Sequence, residues 1–217
     1  MHPRYLSNAF VVGEGRGGAA VMVDSGAPVT PLLQFASTHG LTLTHLLRTH
    51  SHPDHVEHED ELDLAVMTTS FETGGLKIEA IPTPGHSEDG VSFVITDTAG
   101  DEFLCSGDML FKDSVGGGDF EQVKSVVMDV FMKMPHDRRV LPGHSDITSI
   151  GREWELNPLV RAWRGAEPEG VERVQASGRD ATLIAWSPDY DGKGKAWVRF
   201  DDGEDAIVAG SSVERES

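Results

Sequence analysis

Apolar residues recur along the chain in short runs separated by turn formers, with no single long block. Ala19 to Asp24 (AAVMVD) is one such run, closed by Ser25 and Gly26, and it predicts a buried strand entering a turn. Pro28 to His39 then spaces Val29, Leu32, Leu33 and Ala36 at helical intervals, with Gly40 as the stop. Leu43 to Arg48 is a second strand-like run, followed at once by THSHPDH. Leu76 to Ile81, Val91 to Thr96 and Glu102 to Ser106 predict three more strands. Phe120 to Met134 carries Val123, Val126, Val127, Val130, Phe131 and Met134 on one face, the pattern of an amphipathic helix. A short run, VLPGH, ends in Gly143 and His144.

The pattern changes after Trp163. RGAEPEG reads as a linker, and beyond it come the β-like runs Val171 to Ala176, Ala181 to Trp186, Lys195 to Phe200 and Ala206 to Val208. The turn-rich segments SGRD, PDYDGKG and DDGED separate them. This predicts a first domain over residues 1–164 and a small antiparallel barrel over 165–217. Aromatics in so small a barrel (Trp186, Tyr190, Trp197, Phe200) are expected to fill its core, dock it on the first domain or form a homodimer contact. Peptide or nucleic-acid capture ranks behind these.

At 217 residues the chain is long enough for one sizeable core with an appended module. No apolar run reaches the roughly 20 residues of a bilayer span, and MHPRYLSNAF lacks the layout of a secretory signal. A single cysteine, Cys105, permits no internal disulfide, so a cytoplasmic location is expected. Thirty-six acids against 18 bases give a net charge of −18. Such a surface repels phosphate backbones, which argues against nucleic-acid binding.

The chemistry concentrates in His50-x-His52-x-Asp54-His55, with His86, Asp108 and His144 further on. Imidazole and carboxylate are the donors that borderline divalent metals accept. Each later residue follows a predicted strand and a glycine, where open α/β sheets build their sites. A lone loop histidine is ordinarily a solvated side chain; seven suitable residues at matching strand ends are not explained that way. His58 and the acids Glu57, Glu59, Asp60, Glu61 and Asp63 read as the solvated first turn of a helix. Cys105, on an apparent core strand, reads as a buried inert thiol.

THSHPDH, PTPGHSEDG, CSGDMLF and VLPGHS together resemble the ligand motifs of the metallo-β-lactamase-fold hydrolases. GDMLFKDSVGG and TSIGREWELNP are most similar to the glyoxalase II-like branch, and the likeness covers about residues 5–164. The resemblance implies a four-layer αββα sandwich, here followed by an SH3-like or Tudor-like barrel. It implies that His50, His52 and His86 hold one metal and Asp54, His55 and His144 a second, with Asp108 between them. Asp24 would brace the site from behind, as would Thr49. Two zinc ions per chain are expected, with iron or manganese as substitutes. The implied reaction is cleavage of a small-molecule thioester or related ester by a metal-bridging hydroxide, with Asp54 and Asp108 as the carboxylates closest to the chemistry.

Departures from the pattern limit the substrate. VGGGD stands where many relatives have GRxD, and the tail replaces the helical domain that contacts glutathione in larger relatives. Tyr5 and Tyr190, the only tyrosines, do not match the tyrosine of lactone-cleaving relatives. Two alternatives stand beside the hydrolase: a mononuclear iron persulfide dioxygenase, and a metal-stabilised adaptor acting through the barrel.

Overall fold

The computed structural model describes residues 1, 2 and 4–215. Pro3 and the last two positions of the tail module lie outside the described residues. Two sheets face one another. The first is ordered Phe10–Gly13, Ala19–Val23, Thr42–Leu47 and Ala65–Met67, with the last three strands parallel. The second runs Thr148–Ser149, Arg139–Pro142, Glu102–Gly107, Val91–Thr96, Leu76–Pro82 and Phe71–Thr73. Arg139–Pro142 pairs parallel with Glu102–Gly107, and the other pairs are antiparallel.

Side-chain alternation along these strands sorts the apolar residues into layers. Val21, Val23 and Leu47 point into the space between the sheets, where they meet Ile78, Phe93, Ile95, Cys105 and Leu141. Their neighbours Met22 and Leu46 turn outward onto the helix Val29–Thr38. On the second sheet Val94, Leu104 and Val140 turn outward onto Val123, Val127, Phe131, Ile150 and Leu159. Helices therefore cover both outer faces of a mixed α/β sandwich. Strands buried on both faces read as continuous apolar runs, which is why the sequence displayed them so plainly.

Two expectations change. The helix expected from Phe120 to Met134 is α-helical only over Phe120–Ser125, widens to a π turn at Val126–Val130 and tightens to 3-10 at Phe131–Lys133. The wider turn adds a residue per revolution. Phe131 and Met132 are thereby buried, while Val130 and Met134 are only half-buried. The acidic stretch after His58 does not start a helix either. The helix there is Pro53–Val56, and Glu59–Glu61 form one 3-10 turn, with Glu59 paired to Arg48.

The tail holds five strands, the fifth being Val213–Arg215, and one 3-10 turn at Gly210–Ser212. Its strand order is Asp205–Ala209, Lys195–Phe200, Arg179–Ser187, Glu172–Ala176, Val213–Arg215. The expected barrel is not closed: among the described residues the two edge strands do not pair with each other. The Asp205–Ala209 edge instead meets Gly118, through a bridge to Ile207. One face of the tail sheet covers its own small core of Val174, Ala181, Leu183 and Val198. The other sends Ile184, Trp197 and Ile207 into the core between the second sheet and its helices. Phe120 and Trp163 receive the Trp197 ring, at centroid distances of 5.4 and 6.5 Å.

Candidate metal centre

Three strands running in the same direction end at one rim. His86 follows Leu76–Pro82, Asp108 follows Glu102–Gly107, and His144 follows Arg139–Pro142. The first sheet adds its own contribution at that rim. Thr42–Leu47 leads into His50 and His52, and Pro53 opens the short helix that carries Asp54 and His55. Gly85 sits at φ +140°, a conformation other residues rarely adopt, and turns the chain so that His86 enters the site. At Gly143 the requirement is space: a Cβ there would collide with Asp108 Oδ1 and crowd His55.

The seven predicted residues converge as two overlapping groups. His50 Nε2 lies 3.1 Å from His52 Nδ1, and His86 Nε2 lies 3.0 Å from the same atom. Three nitrogens sharing a tetrahedral ion at 2.0–2.1 Å stand about 3.3 Å apart, so this spacing fits a common cation. Asp54 Oδ2 lies 3.6 Å from His55 Nε2 and 3.4 Å from His144 Nε2. Asp108 reaches both groups. Its Oδ1 is 3.3 Å from His55 Nε2, while Oδ2 is 3.3 Å from His144 Nε2 and 3.5 Å from His86 Nε2. His55 Nε2 and Asp108 Oδ1 are buried, yet neither has a hydrogen-bond partner among the described residues. Buried polar atoms left without partners are costly, and a cation among these donors would satisfy both.

The outer ring atoms explain why the inner ones are free to bind. Asp24, buried and at φ +54°, accepts from the Thr49 amide and hydroxyl at 2.8 Å each, and from His55 Nδ1 at 2.8 Å. The Thr49 hydroxyl, having donated to Asp24, accepts from His50 Nδ1 at 3.0 Å. His86 Nδ1 donates to the Gly117 carbonyl at 2.8 Å. Each of these bonds places a ring proton on the outer nitrogen and leaves Nε2 facing the cluster as the nitrogen a cation would take. Gly117 belongs to VGGGD, so the segment that lacks an arginine supplies the His86 acceptor.

The electrostatics divide the imidazoles. Burial pulls His50 down to about 4, and the nearby His55 charge adds to the effect. Burial likewise lowers His86. Burial also disfavours the His55 cation, but the adjacent Asp108 and Asp24 carboxylates outweigh it and raise that ring to about 11. His144 behaves in the same way, with Asp108 and Asp54 raising it to about 9 against burial. The Asp108 carboxyl is held well below its ordinary range, because His144 and His55 overcome the effect of burial. The residues' own charges thus form a network in which protons on two imidazoles offset the carboxylates.

His58 stands apart, paired at the surface with Glu61 at 2.8 Å. Cys105 is fully buried between the sheets, and burial pushes its thiol up. Several supporting residues were not read from the sequence. The Ser7 hydroxyl donates to the Asp54 carbonyl at 2.6 Å, and Asn8 donates to the carbonyls of Pro142 and Ser145, on either side of Gly143-His144. Tyr190, set aside on sequence grounds, stacks on His144 with ring centroids 3.9 Å apart and 9° between planes. These contacts join residues more than 40 positions apart, and no local pattern announces them.

Residues 2–56 match the model of the metallo-beta-lactamase superfamily. A hydroxyacylglutathione hydrolase from Rhodopseudomonas palustris is 30% identical over 201 residues, spanning 78% of this chain and 74% of the relative. Among solved structures, ETHE1 from Myxococcus xanthus is 26% identical with a TM-score of 0.61, covering 71% of this chain and 80% of that one. TTHA1623, solved in a di-iron-bound form, is 27% identical with a TM-score of 0.59 over 73% of this chain and 98% of its own.

Proposed function

The chain belongs to the metallo-beta-lactamase superfamily, and from that premise we propose that it is a binuclear metal-dependent hydrolase that cleaves a thioester or related ester. The observation that carries this reading is the placement of Asp108. One carboxylate lies within 3.5 Å of ligand atoms in both histidine groups, as a bridge between two cations requires.

In this reading His50, His52 and His86 hold one cation, Asp54, His55 and His144 hold the other, and Asp108 joins them. Zinc suits these donors, and the likeness to a di-iron protein keeps iron beside it. Divalent cations so held supply Lewis acidity and an activated water near neutral pH. The chain's own residues prepare for that. Asp24, Thr49 and Gly117 fix three imidazoles in the tautomer that leaves Nε2 free. Asp54 and Asp108 contribute two negative charges, which keeps the charge of a loaded site low and its cations firmly held. A thioester suits such a site because a thiolate leaves with little acid assistance, and the likeness to a hydroxyacylglutathione hydrolase supports that substrate class.

We assign the metal ligands to residues 1–164 and treat residues 165–217 as an appended five-stranded module. Among the described residues no helix is long and apolar enough to cross a membrane.

The test is turnover of a panel of acyl thioesters by the metal-loaded full chain, followed by thiol release. Hydrolysis lost in Asp108→Ala supports the reading, and hydrolysis retained in that variant refutes the bridge. The likeness to ETHE1 is compatible with a second reading, a mononuclear iron persulfide dioxygenase. Oxygen consumption on a persulfide, with one iron per chain and no thioester cleavage, would select it.

A further inference from the structure

The outer nitrogens of the four buried or half-buried imidazoles with such a nitrogen turned into protein are not treated alike. His50, His55 and His86 each have a hydrogen-bond partner for theirs. His144 does not: its Nδ1 is buried with no partner among the described residues, and the residue is only 1% exposed. No hydrogen bond from behind the ring sets its rotation. Aromatic packing stands in that place. Tyr190 stacks flat on the His144 ring, and Phe111 meets it edge-on at 5.6 Å.

Tyr190 comes from the tail, in the connection between strands Arg179–Ser187 and Lys195–Phe200. Both ends of that connection are tied to the first domain or to each other. Ser187 Oγ lies 3.1 Å from Ser114 Oγ in a buried contact. Lys195 Nζ lies 3.2 Å from Asp189 and sits over the Phe111 ring, 5.4 Å from its centroid. The tail sheet behind this connection is anchored through Trp197 and Ile207 in the helix-side core. Tyr190 is therefore held against His144 by a buried interface, although its own far side is open to solvent.

We infer that Tyr190 is a positioning residue for the metal centre: its ring orients and shields His144, so the second cation position is completed by the C-terminal module. This rests on the reading of His144 as a ligand. The physical basis is twofold. A flat stack removes the rotational freedom that an unpaired imidazole would otherwise keep, which spares that ordering cost on binding. An electron-rich phenol ring also favours the electron-poor imidazole that results when its other nitrogen binds a cation. The contact is made by the ring face, so the hydroxyl is dispensable. On this inference the tail is an integral part of the site, in contrast to a separable adaptor.

The experiment is a competitive zinc titration of the full-length protein, compared with Tyr190→Ala and Tyr190→Phe, together with the His144 ring-proton shifts in the metal-free state. Outer contacts to metal ligands are commonly worth about 10- to 100-fold in metal affinity. We expect Tyr190→Ala to weaken the second zinc by at least about tenfold, with the first zinc unchanged and Tyr190→Phe at the wild-type value. The metal-free His144 resonances should move in the Ala variant and stay in place in the Phe variant. Equal zinc affinity in wild type and Tyr190→Ala overturns the inference, as does a Phe variant as weak as the Ala variant. A wild-type protein that binds a single zinc would sink the two-cation reading instead. In that case unmoved His144 resonances in Tyr190→Ala overturn the positioning role, and moved ones uphold the contact.

Discussion

The Asp24 carboxylate accepts from His55 Nδ1 at 2.8 Å, and the same carboxylate takes both the amide and the hydroxyl of Thr49. One buried acid thus orients His55 directly and His50 through Thr49. Asp24→Asn keeps the shape and tolerates the left-handed backbone there, but it offers a single acceptor oxygen to three donors. Metal affinity measured by chelator competition should fall roughly 10- to 100-fold, with the far-ultraviolet dichroism unchanged. Unaltered affinity would mean that the carboxylate does not support the ligands.

Cation loading should release protons. In the cation-free protein His55 and His144 are raised to about 11 and about 9, so both carry a proton at pH 7 on the nitrogens the cations need. His50, pulled down to about 4, is already neutral. Apparent affinity should therefore climb as pH rises from 6 towards 9, since fewer protons must be displaced. Zinc binding followed calorimetrically in buffers of different ionisation enthalpy reads the proton count. A heat independent of buffer would contradict the charge network.

Gly143 has no room for a methyl group beside Asp108 Oδ1 and His55. Gly143→Ala should displace the Asp108 carboxylate and lower zinc affinity by at least about tenfold, a loss readable by elemental analysis after dialysis. Full zinc content in that variant would show that the rim yields more easily than its packing suggests.

Cys105 is fully buried against Val21, Phe93 and other residues between the sheets, and its thiol is shifted up by burial. Native protein should not react with a thiol reagent, whereas urea-unfolded protein should react fully. Cys105→Ser places a hydroxyl among apolar neighbours and should cost about 1–3 kcal/mol in urea unfolding, with hydrolysis per folded molecule unchanged. Lost turnover at full stability would assign the thiol a chemical role.

What the sequence made legible and what it concealed have physical reasons. The seven clustered donors were readable because they lie in the loops and the short helix that follow strand ends, and local runs mark those ends. Central strands such as Ala19–Val23 and Val91–Thr96 were readable because both of their faces are buried. The supporting contacts were not: Ser7 to Asp54, Asn8 to Pro142 and Tyr190 to His144 join distant segments, and their residue types are common on any surface. The π turn at Val126–Val130 was hidden because a helical periodicity cannot show where one extra residue enters. The tail was read as a barrel from its turn spacing, while its edge contact with Gly118 depends on a partner outside the pattern.

The account turns on Asp108 joining two cation positions. Anomalous diffraction from zinc-loaded crystals of the full chain tests it most directly. Two peaks are predicted, one among His50, His52 and His86 and the other among Asp54, His55 and His144, with an Asp108 oxygen coordinating each or shared between them. A single peak at full zinc occupancy, with Asp108 touching at most that one ion, would contradict it.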